Sequence, residues 1–163
     1  MIANWHGTEI PENEWAFSND DFDSTHFKPH GSVVLWPHEN IVRFEVSGPF
    51  NLEFIKSIAV LVGKVYSELA EKGPFVDVVV LKNSMLMPNE AVKEICNFFQ
   101  ESKMRGYAPE ATAWVLEDEV EGSFILLPIF ERQFNDIGRR SKNFDDVDEA
   151  EAWAVKQLRN SYI

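Results

Sequence analysis

The chain has 163 residues, 45% of them apolar and 13% aromatic, and carries a formal net charge of −12 from 27 acids against 15 bases. That length suits one domain with a sizeable core and is short for two. The charge opposes binding to nucleic acid, whose phosphates need a Lys/Arg surface, and docking on anionic membranes.

No apolar run approaches the roughly 18 residues of a membrane span. The start Met1-Ile2-Ala3-Asn4-Trp5-His6 lacks the basic region and apolar run of a signal peptide. A cytoplasmic location is the expectation. Cys96 is the one cysteine, so an intrachain disulfide is impossible. It sits in the apolar stripe Ala91, Val92, Ile95, Cys96, Phe99 and reads as a small buried hydrophobe.

Residues 1–30 differ in texture from the rest. Acids (Glu9, Glu12, Glu14, Asp20, Asp21, Asp23) alternate with Trp5, Trp15, Phe17, Phe22 and Phe27, and no helical or strand period holds. The aromatics are many for a plain flexible tail. This segment reads as an arm lying along the body of the domain or along another subunit, with a disordered leader as the competing reading. An arm buried on a neighbour would make the protein a homodimer.

Residues 31–163 read as the folded domain. Gly31 to Trp36 and Ile41 to Ser47 are strand-like runs joined by Pro37-His38-Glu39-Asn40, a hairpin. In the second run Val42, Phe44 and Val46 share one face. A helix over Leu52–Lys72 follows, with Asn51 as N-cap and Gly73-Pro74 as the stop. Phe75 to Leu81 is nearly continuous in apolar character, as a central parallel strand should be. The loop Lys82-Asn83-Ser84-Met85-Leu86-Met87-Pro88 leads to a second helix with Asn89 as N-cap, ending at Gly106.

Ala111 to Leu116 is the next strand. A third helix spans residues 119–137, with Phe124, Leu127, Phe130, Phe134 and Ile137 as its stripe and Pro128 expected to kink or split it. Residues 139–144 form a short basic strand at the sheet edge. Asp146 and Glu149 make a capping box for a last helix that buries Val147, Ala150, Trp153, Ala154 and Leu158. Strands alternating with helices predict an α/β single domain with a mostly parallel sheet, an antiparallel hairpin strand at the start and four helices. Helices should be denser on one face.

The candidate chemistry is thin. His26 and His30 lie near Asp20, Asp21 and Asp23, but their spacing matches no known metal site, and loop histidines beside acids are common. His6 and His38 complete the histidines, and none falls in the βα loops of the body, where an open α/β sheet usually places its active site. No phosphate-binding glycine loop and no nucleophile elbow is present. Ser84 with Lys82 two residues earlier is a conceivable Ser–Lys pair, though loop polarity explains both. Glu117-Asp118-Glu119-Val120-Glu121 suits a helix N-terminus. Arg139-Arg140 with Lys142 would suit an anion, or would simply neutralise acidic surface. The residues call for neither an enzyme nor a cofactor.

Glu39-Asn40-Ile41-Val42-Arg43-Phe44-Glu45-Val46-Ser47-Gly48, the strand Val76 to Leu81, and the ending Asn143-Phe144-Asp145-Asp146-Val147-Asp148-Glu149-Ala150-Glu151-Ala152-Trp153 together resemble the STAS domain (sulfate transporter and anti-sigma factor antagonist), more closely its SpoIIAA-like branch. The resemblance covers residues 31–158. It implies a non-enzymatic regulatory domain that works by binding a protein partner. The family's phosphorylated Asp-Ser-x-Gly motif would fall at Met87-Pro88-Asn89-Glu90-Ala91, where neither the Ser nor the Gly is found. The expected contact region is the loop at Lys82, Asn83, Ser84, Met85 and Asn89, with the nearby surface of the third helix. The alternative is a binder of an apolar, lipid-like small molecule, admitted where the third helix opens against the sheet. Such ligands are suspected for some members of the branch.

Overall fold

The computed structural model describes residues 17–18 and 30–161. The chain forms β1 (Phe17–Ser18), β2 (Ser32–His38), β3 (Ile41–Ser47), α1 (Leu52–Lys72), β4 (Val76–Lys82), α2 (Asn89–Met104), β5 (Ala111–Val115), α3 (Ser123–Asp136), β6 (Arg140–Phe144) and α4 (Val147–Ser161). The described strands make one sheet whose spatial order is the sequence order. β1–β2 and β2–β3 pair antiparallel, while β3–β4, β4–β5 and β5–β6 pair parallel. This is the expected α/β domain with a mostly parallel sheet, an opening hairpin and four helices. Beyond the short β1 pairing, the arm expected over residues 1–30 lies outside the described residues, and so do His6, His26 and Asp20, Asp21 and Asp23.

Each crossover steps to the next strand in the same direction. Crossovers of one hand then keep their helices on one face. α1, α2 and α3 accordingly share a layer, burying Phe54, Ile58, Phe99, Phe130 and Phe134 against Phe44, Val46, Val79, Leu81 and Trp114. α4 follows the last strand and packs on the opposite face. There Val147, Ala150, Ala154 and Leu158 meet Val76, Val78, Val80, Ala111 and Ala113. Alanines on both sides of that contact let α4 lie close to β4 and β5. Arg43 of β3 reaches Glu151 of α4 as an ion pair at 2.8 Å.

Several local expectations hold. Asn51 caps α1, its side chain accepting from the N–H of Phe54 at 3.0 Å and also from that of His30 at 2.9 Å. Asp146 accepts from the N–H of Glu149 at 3.0 Å ahead of α4.

Others are corrected. α2 begins at Asn89 itself, with Pro88 as N-cap and no side-chain cap bond. Its rotation buries Phe98 and Ser102 and leaves Cys96 only half-buried. α3 begins at Ser123, four residues later than expected, because Gly122 adopts a left-handed conformation (φ 81°) and the acidic run stays in the loop. Pro128 does not split α3. It sits in the second turn, where the one helical bond it removes is to the carbonyl of Phe124, a residue at the solvent. Phe124 is 92% exposed and Ile125 61%. At 3.6 residues per turn, the buried Leu126, Leu127, Phe130 and Phe134 centre about a quarter-turn away from Phe124.

The exit from β3 is tied to the loop after β4. Phe50 donates its backbone N–H to the carbonyl of Leu86 at 2.8 Å, and a Cβ at Gly48 would meet the backbone oxygen of Ser84 at 2.2 Å. That oxygen belongs to backbone and cannot rotate aside. Gly48→Ala should therefore destabilise the fold by about 1–3 kcal/mol through overpacking, read as a lower urea midpoint with an unchanged slope.

Candidate functional site

The register sets a polar group inside the three-helix layer. Asp77, the second residue of β4, lies beside Val42 of β3 and Thr112 of β5. Side chains alternate across a strand, so Asp77 shares the face of Val79 and Leu81, beneath α1, α2 and α3. It is 2% exposed. Tyr66 of α1, also buried, donates its hydroxyl to Asp77 Oδ2.

Arg139 arrives from the other side of the same layer. α3 ends in a Schellman arrangement. Gly138 takes a φ of 73° and donates to the carbonyl of Asn135 at 3.2 Å, while the N–H of Arg139 donates to that of Phe134 at 2.8 Å. The turn folds Arg139 back under its own helix. Its guanidinium carbon stands 4.4 Å from the centroid of the Phe134 ring and 5.4 Å from that of Phe99. Cation–π contacts of this kind are strongest when desolvated, and Arg139 is 4% exposed. Nη1 donates to Thr112 Oγ1 at 3.4 Å.

These four side chains line one end of a cavity of about 100 Å³, whose remaining walls include Phe44, Phe54, Ile58, Ile95, Phe98 and Trp114. Asp77 Oδ1, Arg139 Nε and Arg139 Nη2 are buried without a hydrogen-bond partner. Buried polar atoms in native proteins are nearly always paired. Leaving one unpaired costs about 1–3 kcal/mol, more when it is charged. One acceptor and two donors are thus buried without a partner in the wall of an apolar chamber.

Burial raises the Asp77 carboxyl above the usual carboxylate range, and neither the Arg139 guanidinium nor the hydroxyls of Thr112 and Tyr66 offset it fully. Tyr66 is pushed well above the ordinary phenol value, first by burial and then by the Asp77 charge. It remains a hydrogen-bond donor at any physiological pH.

The residues expected to carry a contact surface lie at the opposite ends of the parallel strands, at and beyond the end of β4. Lys82, Asn83 and Asn89 are exposed, whereas Ser84 and Met85 are buried. Lys82 Nζ pairs with Glu45 Oε1 at 2.9 Å. Ser84 Oγ donates to Glu121 Oε1 at 3.0 Å and accepts from the N–H of Leu86 at 3.1 Å. Lys82 and Ser84 are engaged separately rather than as a catalytic couple. Asn83 donates to Ser47 Oγ. Glu121 belongs to this loop scaffold, since its backbone also pairs with Asn83 and Met85. The basic run is divided as well: Arg139 turns inward, while Arg140 donates from Nη2 to the carbonyl of Gln157 on α4 at 3.4 Å. The half-buried Cys96 thiol is pushed up by burial, which disfavours the reactive thiolate.

Asp77, Tyr66 and Thr112 are not marked out by spacing or motif, and Arg139 only as part of the basic run Arg139-Arg140 with Lys142, which would suit an anion. One signal was legible: an acid in the middle of Phe75-Val76-Asp77-Val78-Val79-Val80-Leu81, where a buried strand has no use for a charge unless it is paired. No family model matches the chain, and no curated protein matches it.

Asp77 sets a pH dependence. Burial holds its folded carboxyl above the value of a free aspartate, so the folded state holds this proton more tightly than the unfolded chain. The stabilisation is complete below about pH 4 and is lost as pH rises through the raised folded pKa. The stability of wild type relative to Asp77→Asn should fall as pH rises from about 4 through the raised folded pKa, as read from urea midpoints of both proteins across pH 4–8. A difference that rises with pH would contradict the assignment.

Proposed function

We propose that the protein binds a small amphipathic molecule in the chamber between the sheet and α1, α2 and α3. The observation that carries this is the set of unpaired polar atoms, Asp77 Oδ1 with Arg139 Nε and Nη2, at the edge of an apolar cavity. Ligand sites combine an apolar lining with a few convergent polar groups in this way. A folded chain gains little from keeping a charge pair open in its core, since replacing such groups by apolar ones is often neutral or stabilising. A ligand that completes their hydrogen bonds supplies the compensation.

A second reading is favoured by a separate observation. Phe124, Ile125 and Leu86 are exposed, and Leu86 borders Gly122 just ahead of α3. Glu117, Asp118, Glu119 and Glu121, in the loop just ahead of α3, are exposed acids. That combination suits a docking surface for a protein partner and accords with the non-enzymatic regulatory role implied by the STAS resemblance. Asn89, Lys82 and Asn83 flank it. The two readings use different surfaces, so both can hold.

Native mass spectrometry of the purified protein tests the first reading. The spectrum should contain a species heavier than the polypeptide by the mass of one small molecule. Ala59→Leu, which adds three carbons to the chamber wall, should remove that species while the circular dichroism spectrum is kept. A bound mass that persists in Ala59→Leu would place the ligand elsewhere.

A further inference from the structure

The chamber's charge balance limits the chemistry of its ligand. The cationic guanidinium of Arg139 stands in an apolar enclosure where an uncompensated charge is costly. Among the described residues that line the chamber, Asp77 is the acid that offsets it. The two do not bond to one another. Oδ2 of Asp77 is taken by Tyr66 and Nη1 of Arg139 by Thr112, which leaves one acceptor and two donors buried without a partner in the wall of the cavity. An anionic head would complete Arg139 but stand beside the unpaired acceptor Oδ1 of Asp77. A cationic head would do the reverse. A hydroxyl satisfies both at once, donating to Oδ1 and accepting from the guanidinium, and a primary amide does the same.

We infer that the ligand carries an uncharged head that both donates and accepts a hydrogen bond, an alcohol or a primary amide on a compact apolar body, and that the site discriminates against carboxylates and amines. This rests on the chamber being a ligand site. Its size sets the body. A cavity of about 150 Å³ admits benzene, so about 100 Å³ takes the head and roughly three or four carbons. A longer chain must leave between the helices.

The test uses the full chain with 1-butanol, butanamide, butyrate and butylamine at pH 7.5, read by shifts of the Ile55, Ile58 and Ile95 methyl resonances and by thermal denaturation. Butanol and butanamide should shift the three methyls and raise the melting temperature. Butyrate and butylamine should bind at least ten-fold more weakly. In Asp77→Asn the guanidinium loses its counter-charge, and butyrate should bind at least ten-fold more tightly than to wild type. In Arg139→Gln butylamine should gain in the same way. Where a variant fails to fold, the wild-type ratio of butanol to butyrate decides alone. Butyrate or butylamine binding wild type as well as butanol does would overturn the neutral head and leave the chamber intact as a site. Failure of all four probes to move any of the three methyls would overturn the ligand site itself.

Discussion

The direction of the crossovers governs this structure. Because β3, β4, β5 and β6 are laid down side by side in sequence order, α1, α2 and α3 crowd onto one face and, among the described residues, α4 covers part of the other. Three helices packed side by side on a twisted sheet meet it at differing angles, and their ridges do not fill the space beneath them evenly. Aromatic side chains take up most of that space. Phe99 packs edge-on against Phe130 and Phe134, and Trp114 stacks on both of those rings. What they leave unfilled is the chamber that Asp77 and Arg139 border.

The other face is packed differently among the described residues. Ala111, Ala113, Ala150 and Ala154 bring α4 down onto the strands, with small side chains in close contact. The chamber is therefore a consequence of which layer holds the large residues. The polar end of the chamber lies toward the starts of the parallel strands, since Asp77 and Thr112 are each the second residue of their strand and Arg139 precedes β6. Ligand sites in open α/β sheets generally lie beyond the opposite ends. Here those ends are occupied by a bonded loop scaffold, in which Ser84, Glu121, Asn83 and Leu86 satisfy one another.

This reversal explains what the sequence could and could not disclose. The alternation of Val42, Phe44 and Val46, the stripe of α1, the cap at Asn51 and the breaks at Gly73 and Gly106 are local signals, each set by residues within a turn or a pleat of one another. They gave the element order and the sheet type. The start of α3 was harder to place, because the acids at 117–121 suit a helix N-terminus by charge while their backbone is committed to the loop after β4 through Asn83 and Met85. Phe124 belonged to a helical stripe by spacing and missed the core by a quarter-turn. The polar cluster was the least legible part. Tyr66, Asp77, Thr112 and Arg139 come from four separate elements and meet only through strand register and the turn at Gly138. Arg139 and Arg140 are adjacent in sequence, yet they point to opposite faces of the sheet.

The central claim is that Asp77 and Arg139 are held apart to receive a ligand. A high-resolution crystal structure of the protein grown with 1-butanol addresses it most directly. Density for the alcohol is expected in the chamber, its oxygen within hydrogen-bonding distance of both Asp77 Oδ1 and the Arg139 guanidinium. A chamber closed by a direct Asp77–Arg139 ion pair, or holding nothing larger than a water molecule, would contradict it.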